Sequence, residues 1–285
     1  MSEITAKMRE VAKSLLEKGE VKYLIGWEKG RFPYQSPPAF ITSADDVGRL
    51  VWDEYCLVGT VKYLLDDPHP EGKIGVFVRG CDSRAINRLL QDGQIKRENV
   101  YLIGIPCGGM KDPATGKTAK KCEDCTHPNP LVFDTQIGEK VTESNKPNRF
   151  NSVNDLEKKS ADEKYEYWAK QYEKCIRCYA CRNVCPACSC RECFVDQYRV
   201  GWQGKQNNRA ENQFYGLTRA FHVAGRCIEC GECERACPMD LPLMELNRKL
   251  IKDINELFGP YEAAVDLEEK PPLGTYKLED PEKFM

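Results

Sequence analysis

Apolar and polar positions change their rhythm several times along the chain. The first twenty residues, MSEITAKMREVAKSLLEKGE, set Met8, Val11, Leu15 and Leu16 on one face of a helix and charge on the other. Short apolar runs of strand length follow at residues 21–25, 74–78 and 100–105, and helical periodicity occupies 45–65 and 83–90. Strand, helix, strand is the order from 74 to 105, so residues 1–140 are predicted to form an α/β domain.

Between about 138 and 155 the sequence GEKVTESNKPNRFNSVND turns polar and collects Asn, Pro and Ser, the mark of a linker. Residues 155–174 are predicted as one helix, acidic near its start, with an aromatic stripe of Tyr165, Trp168 and Tyr172 that packs against the next domain. A cysteine-rich stretch then runs from 175 to 238, interrupted by a polar segment (198–213) and a helical one (214–224). A helix at 243–257 and a tail rich in Pro, Glu and Lys complete the chain. The expected organisation is an α/β domain at 1–140, linker and helix at 141–172, a cysteine-rich domain at 173–245, and a helical then extended tail at 246–285.

The chain has 285 residues, and 42 basic against 44 acidic side chains give a net charge of −2. No electrostatic footprint for nucleic acid or an anionic membrane is present, so the expected partners are other proteins. No run reaches the eighteen or so apolar residues that span a bilayer, and the N-terminal helix lacks the apolar core of a signal peptide. The expected location is cytoplasmic, where thiols stay reduced. In such a compartment 16 cysteines at short spacing are expected to be metal ligands rather than disulfides.

Two cysteine runs share one pattern, CxxCxxCxxxCP: Cys175, Cys178, Cys181, Cys185 with Pro186, and Cys227, Cys230, Cys233, Cys237 with Pro238. In the bacterial ferredoxin signature three cysteines of such a run hold irons of one 4Fe-4S cubane, while the fourth reaches the other cubane. The predicted sets are therefore crossed. Cys175, Cys178, Cys181 and Cys237 take one cluster, and Cys227, Cys230, Cys233 and Cys185 the second. A zinc site closes with four ligands and has no use for the repeated third and fourth cysteines. An α+β two-cluster ferredoxin-like domain is the predicted fold of 173–245.

Eight cysteines lie outside this pattern. Cys81 and Cys107 follow the apolar runs at 74–78 and 100–105, at the carboxyl ends of what would be adjacent strands, the edge where open α/β sheets bind ligands. Cys122 and Cys125 add a CxxC pair. The four could close around a third cubane, or Cys81 and Cys107 could be buried hydrophobes with the pair as a zinc hook or redox pair. Cys188, Cys190 and Cys193, in CPACSCREC, are expected to supply a fourth cluster or a zinc site, with Cys56 as a further ligand or else a core thiol.

The stretches VFVRGCDSRAINRLL, YLIGIPCGGMKD and CEDCTHP, in that order over roughly residues 70 to 135, resemble the beta-subunit family of deazaflavin-reducing hydrogenases and deazaflavin-dependent formate dehydrogenases. The resemblance implies that Cys81, Cys107, Cys122 and Cys125 lie in an iron-sulfur region. It also implies an electron-transfer subunit of an anaerobic multi-subunit oxidoreductase complex of the formate dehydrogenase, hydrogenase or heterodisulfide-reductase type. Members of the family often bind a flavin such as FAD, so the alternative is a flavin-containing catalytic subunit acting on a nicotinamide or deazaflavin. Here the sequence after Val132 runs into the polar linker and then the cysteine-rich stretch, where flavin-binding segments would be expected.

Other motifs carry less. Thr115-Gly116-Lys117-Thr118 lacks the first glycine of a phosphate loop, whose place is taken by Lys111, and is predicted as a surface turn. His69, His127 and His222 share no metal spacing, and no nucleophile or acid-base pair is recognisable.

Overall fold

The computed structural model describes residues 2–66, 71–143 and 149–276, together with Leu278. His69, residues 144–148 of the polar linker and the end of the tail lie outside the described residues. The chain divides into two compact units, Met1–Lys146 with Ala264–Leu267, and Pro147–Ala263 with Glu268–Met285.

In the first unit α1 (Glu3–Glu17) starts at Ser2, whose hydroxyl accepts the Thr5 N–H. Its apolar face buries Met8, Ala12 and Leu15, with Val11 and Leu16 packed at the border of the same core. The chain continues through β1 (Tyr23–Trp27), β2 (Pro38–Ile41), β3 (Ile74–Val78), α2 (Gly80–Gln91), β4 (Val100–Gly104), α3 (Lys120–Glu123) and β5 (Thr135–Gln136). The strands form one sheet in the order β2-β1-β3-β4-β5. β2 is antiparallel to β1 at one edge, and every other pairing is parallel. All of β3 is buried, as its unbroken apolar run requires of a strand covered on both faces.

The helix expected at 45–65 is not formed. Two short 3-10 turns, Ala44–Arg49 and Val61–Leu65, flank an irregular stretch instead. The cause is tertiary. A helix would need the carbonyls of Cys56, Leu57 and Val58 for its own N–H groups, but all three accept from the Arg79 guanidinium. Leu57 also accepts from the Lys121 ammonium and Val58 from the Trp27 indole.

Arg79 is almost wholly buried, lies over the Trp27 ring at 5.1 Å, and is compensated by Asp82 at 2.6 Å. Asp82→Asn, which removes the compensating charge and leaves the cation, is expected to destabilise this unit by about 3–5 kcal/mol. The check is an earlier change in Trp27 fluorescence during denaturant titration.

The second unit contains α4 (Asn151–Glu157), α5 (Ala161–Glu173), α6 (Ala180–Asn183), α7 (Arg209–His222), α8 (Glu232–Arg235) and α9 (Leu243–Phe258). The single helix expected at 155–174 is broken because Ser160 takes extended backbone and forms a capping box with Glu163, restarting the helix as α5. Of the aromatic stripe, Tyr172 is buried, Trp168 half-buried and Tyr165 exposed. Among the described residues this unit has no strand, so the α+β expectation gives way to a helical domain. The stretch between the cysteine runs carries a helical period and the cap of Asn208 on the Glu211 N–H, not the alternation of a strand. Among the described residues no helix is long and apolar enough to cross a membrane.

Candidate metal centres

Each cysteine run opens as a tight loop and passes into a one-turn helix, α6 or α8. Both loops take left-handed backbone at the same two places, Arg177 (φ 49°) and Tyr179 (φ 59°) in the first, Glu229 (φ 53°) and Gly231 (φ 67°) in the second. Glycine accepts this conformation without steric penalty, whereas the other three each pay about 1–2 kcal/mol. All three are held by their side chains: Arg177 donates to the carbonyls of Gly204 and Gln206 and to the Tyr179 hydroxyl, and Glu229 is paired with Arg149 and Arg248. Such alternation turns successive N–H groups inward and makes a concavity for negative charge, as at many iron-sulfur sites. Accordingly the N–H groups of Arg177, Glu229 and Glu232 favour the thiolates of Cys175, Cys227 and Cys230, against the larger effect of burial.

The loops are completed by tertiary packing. Cys175, Cys178, Cys181 and Cys237 line one pocket with about 480 Å³ of empty space, its open mouth included. Tyr172, Tyr215, Gly216 and Arg219 help to wall it. Cys185 packs instead with Cys227, and its charge interacts with those of Cys227 and Cys230, which both also face Cys233. Cys237 thus lies with the three cysteines of the first run and Cys185 against the second, while Cys233 also packs with Cys175, Cys181 and Cys237. Burial pushes the pKa of Cys233 up to about 12, and the amide of Asn247, from α9, donates to its sulfur at 3.7 Å. The Cys188 thiol donates to Cys185 and draws its pKa down to about 5, against burial.

α7 closes the space between the two sets. On one face Asn212 donates to the carbonyls of Tyr172 and Cys175, Tyr215 meets the Cys181 sulfur at 3.5 Å, and Gly216 lies against the Tyr172 ring. The Tyr172 hydroxyl is buried and has no hydrogen-bond partner among the described residues. A Cβ on Gly216 would stand 2.1 Å from that hydroxyl oxygen and 2.2 Å from the ring carbon bearing it. Gly216→Ala is therefore expected to displace Tyr172 from the pocket wall at a cost of about 1–3 kcal/mol. A lower melting temperature in thermal unfolding of the purified chain is the readout.

In the first unit the parallel strands β3 and β4 end side by side, and Cys81 and Cys107 follow them. Cys81 lies close enough to Cys125 for their charges to interact, and Cys107 likewise to Cys122 and Cys125. Cys81 and Cys107 thus stand at the carboxyl edge of the sheet, and Cys107 and Cys122 pack against the same core. Burial raises the pKa of Cys81, Cys107 and Cys125, while Arg79, Arg84 and Lys121 set positive charge around them. The N–H groups of Gly109 and His127, two residues on in each case, favour the thiolates of Cys107 and Cys125 as in the second unit. The His127 ring is held by Arg84 and Thr126.

The donor chemistry of all three sets fits a cluster, which takes one thiolate on each iron and needs backbone N–H groups to support its negative charge. Among the described residues no three ligating side chains converge closely enough to share one ion, and a cubane does not ask for that.

The remaining cysteines do not gather. Cys188 stays with Cys185, Cys193 hydrogen-bonds with Arg182, and Cys190 is exposed. Cys56 is fully buried in the core of the first unit, its sulfur accepting the Asp53 N–H and donating to the Val51 carbonyl. Cys56 is thus a core thiol here, while Cys188 and Cys193 have protein neighbours of their own. Thr115–Thr118 lies on an exposed turn closed by Asp112 and the Lys111–Thr118 bridge. Sequence reasoning missed Asn212, Tyr215 and Arg219, although their spacing of three and four along a helix between the two runs marks one face.

A family model described as a 4Fe-4S dicluster domain matches residues 171–241. The chain is 25% identical to the F420-dependent formate dehydrogenase subunit beta of Methanocaldococcus jannaschii, over 92% of each chain. It is 28% identical to the F420-dependent formate dehydrogenase 1 subunit beta of Methanococcus maripaludis, over 92% of this chain and 91% of the relative. A chain of the F420-reducing [NiFe] hydrogenase complex from Methanosarcina barkeri aligns over 43% of this chain and 44% of its own, with a TM-score of 0.33 and 20% identity.

Proposed function

We propose that this chain, homologous to the beta subunits of F420-dependent formate dehydrogenases and carrying a 4Fe-4S dicluster domain, is the iron-sulfur electron-transfer subunit of a multi-subunit oxidoreductase complex. In this reading Cys175, Cys178, Cys181 and Cys237 hold one cubane, Cys185, Cys227, Cys230 and Cys233 a second, and Cys81, Cys107, Cys122 and Cys125 a third. The observation that carries it is the crossed gathering of the two runs, since Cys237 is found with the three thiols of the first run and Cys185 against the second.

A bound cubane supplies one-electron transfer without bond breaking in a substrate. The chain's own groups supply the rest. Thiolates hold the irons, the N–H groups of Arg177, Glu229 and Glu232 support charge on the sulfurs, and Tyr172, Tyr215 and Leu241 keep water from the first set. The partner is the catalytic subunit of a formate dehydrogenase-like or hydrogenase-like complex. Neither the fold nor the comparisons favour the flavin-bearing alternative.

Iron and acid-labile sulfide analysis of chain purified without oxygen tests this. Three cubanes give about twelve of each per chain, and the dicluster domain alone about eight. A colourless chain after reconstitution, or zinc in place of iron, overturns the proposal. Stoichiometric flavin extracted from the isolated chain would transfer it to the catalytic alternative.

A further inference from the structure

Arg219 occupies a place that the cluster-binding role of the cysteines leaves unexplained. It lies on the buried face of α7 and is only 5% exposed. Its Nη2 donates to the Cys181 carbonyl at 3.1 Å, while its Nε has no hydrogen-bond partner among the described residues. Among those residues no carboxylate pairs with it. The charges it faces are thiols from both sets: Cys233 and Cys185 of one, Cys181 of the other, and the neighbouring Cys188.

A buried guanidinium without a carboxylate is costly, because desolvation is not repaid by a counter-ion. Such a charge persists where it faces negative charge of another kind. Four thiolates around each cluster provide it, and that negative charge grows by one unit when an electron is added. An arginine serving only to brace the fold would be expected to satisfy its donors, whereas here one buried donor is left orphaned on a side chain that lines the pocket of Cys175, Cys178, Cys181 and Cys237.

We infer that Arg219 is a positioning charge shared by the two clusters of the second unit, raising the reduction potential of both. The inference stands on the two-cluster reading above. Adding an electron from a low-potential donor to either cluster increases the negative charge opposite Arg219. The guanidinium stays protonated throughout, so no proton accompanies the electron there. Because one cation serves both sets, its removal lowers the two potentials together.

The test is a reductive titration of the full chain, purified without oxygen and followed by electron paramagnetic resonance, with dithionite as the donor. In Arg219→Gln both midpoints are expected to fall, so that at a fixed potential the ratio of reduced to oxidised cluster drops about tenfold, or ~59 mV for a one-electron couple. Arg219→Lys, which keeps the charge, is expected to return both midpoints toward those of the native chain. Where the glutamine variant does not take up clusters, Arg219→Met replaces the cation by an apolar side chain of similar length and is titrated in the same way. Midpoints that stay in place in a fully loaded Gln or Met variant overturn the inference, as does loss of both clusters from both variants, which assigns Arg219 to folding. A native chain without clusters removes the reading beneath it, and a loaded native chain with unmoved variants removes this inference alone.

Discussion

Cys237→Ser is expected to damage the cluster whose other ligands are Cys175, Cys178 and Cys181, far earlier in the chain, and to spare the one nearest to it in sequence. Cys237 lines the same pocket as those three. Cys185→Ser is expected to do the reverse, because Cys185 packs with Cys227 and interacts with Cys230. Iron content falls by up to about four per chain in each case. Spectra assign the loss: the paramagnetic signal of Cys237→Ser should match that of Cys178→Ser, and the signal of Cys185→Ser that of Cys230→Ser. Should Cys237→Ser instead match Cys230→Ser, each run holds its own cluster and the crossed assignment fails.

Gly80→Ala is expected to cost the first unit both stability and iron. Gly80 stands between β3 and Cys81, at the start of α2. A Cβ there would lie 1.9 Å from the His127 carbonyl oxygen, 2.8 Å from its carbon and 3.0 Å from the Asn129 carbonyl oxygen. These are backbone atoms, and no flexible side chain can yield. The loop 127–129 must move, and with it the His127 N–H that supports Cys125. The helix start and the loop therefore set the distance between Cys81 and Cys125. Destabilisation of about 1–3 kcal/mol, as for other overpacked sites, is expected together with loss of iron from the proposed third cluster. Iron analysis of the variant beside Cys81→Ser decides the matter. An alanine variant that keeps the native iron content would show that the close approach does not hold those ligands.

The comparison of sequence with structure separates two kinds of information. Where a pattern concerns neighbours in the chain, it was legible. The apolar runs at 74–78 and 100–105 become β3 and β4, and the N-terminal periodicity becomes α1 with Met8 and Leu15 buried. The CxxCxxC spacing implies a tight loop, and both runs adopt the same alternation of backbone hand. Where a distant group intervenes, local pattern misled. Residues 45–65 have helical periodicity, yet Arg79 takes the carbonyls the helix would need. At 155–174 the decisive signal is local: Ser160 and Glu163 spell a capping box that ends one helix and starts another.

What the sequence determined by itself is which thiols follow one another closely enough to share a tight loop, because a few covalent bonds separate them. Tertiary structure alone decided which neighbours reach those atoms from elsewhere in the chain. Arg219 faces both cysteine sets because α7 packs against each of them, and Cys81 and Cys107 share one edge because the parallel strands before them end side by side. The physical reason is range: bond geometry constrains positions a few residues apart, whereas the burial of Arg219, Tyr172 and Gly80 depends on surfaces that exist only after the helices and strands have packed.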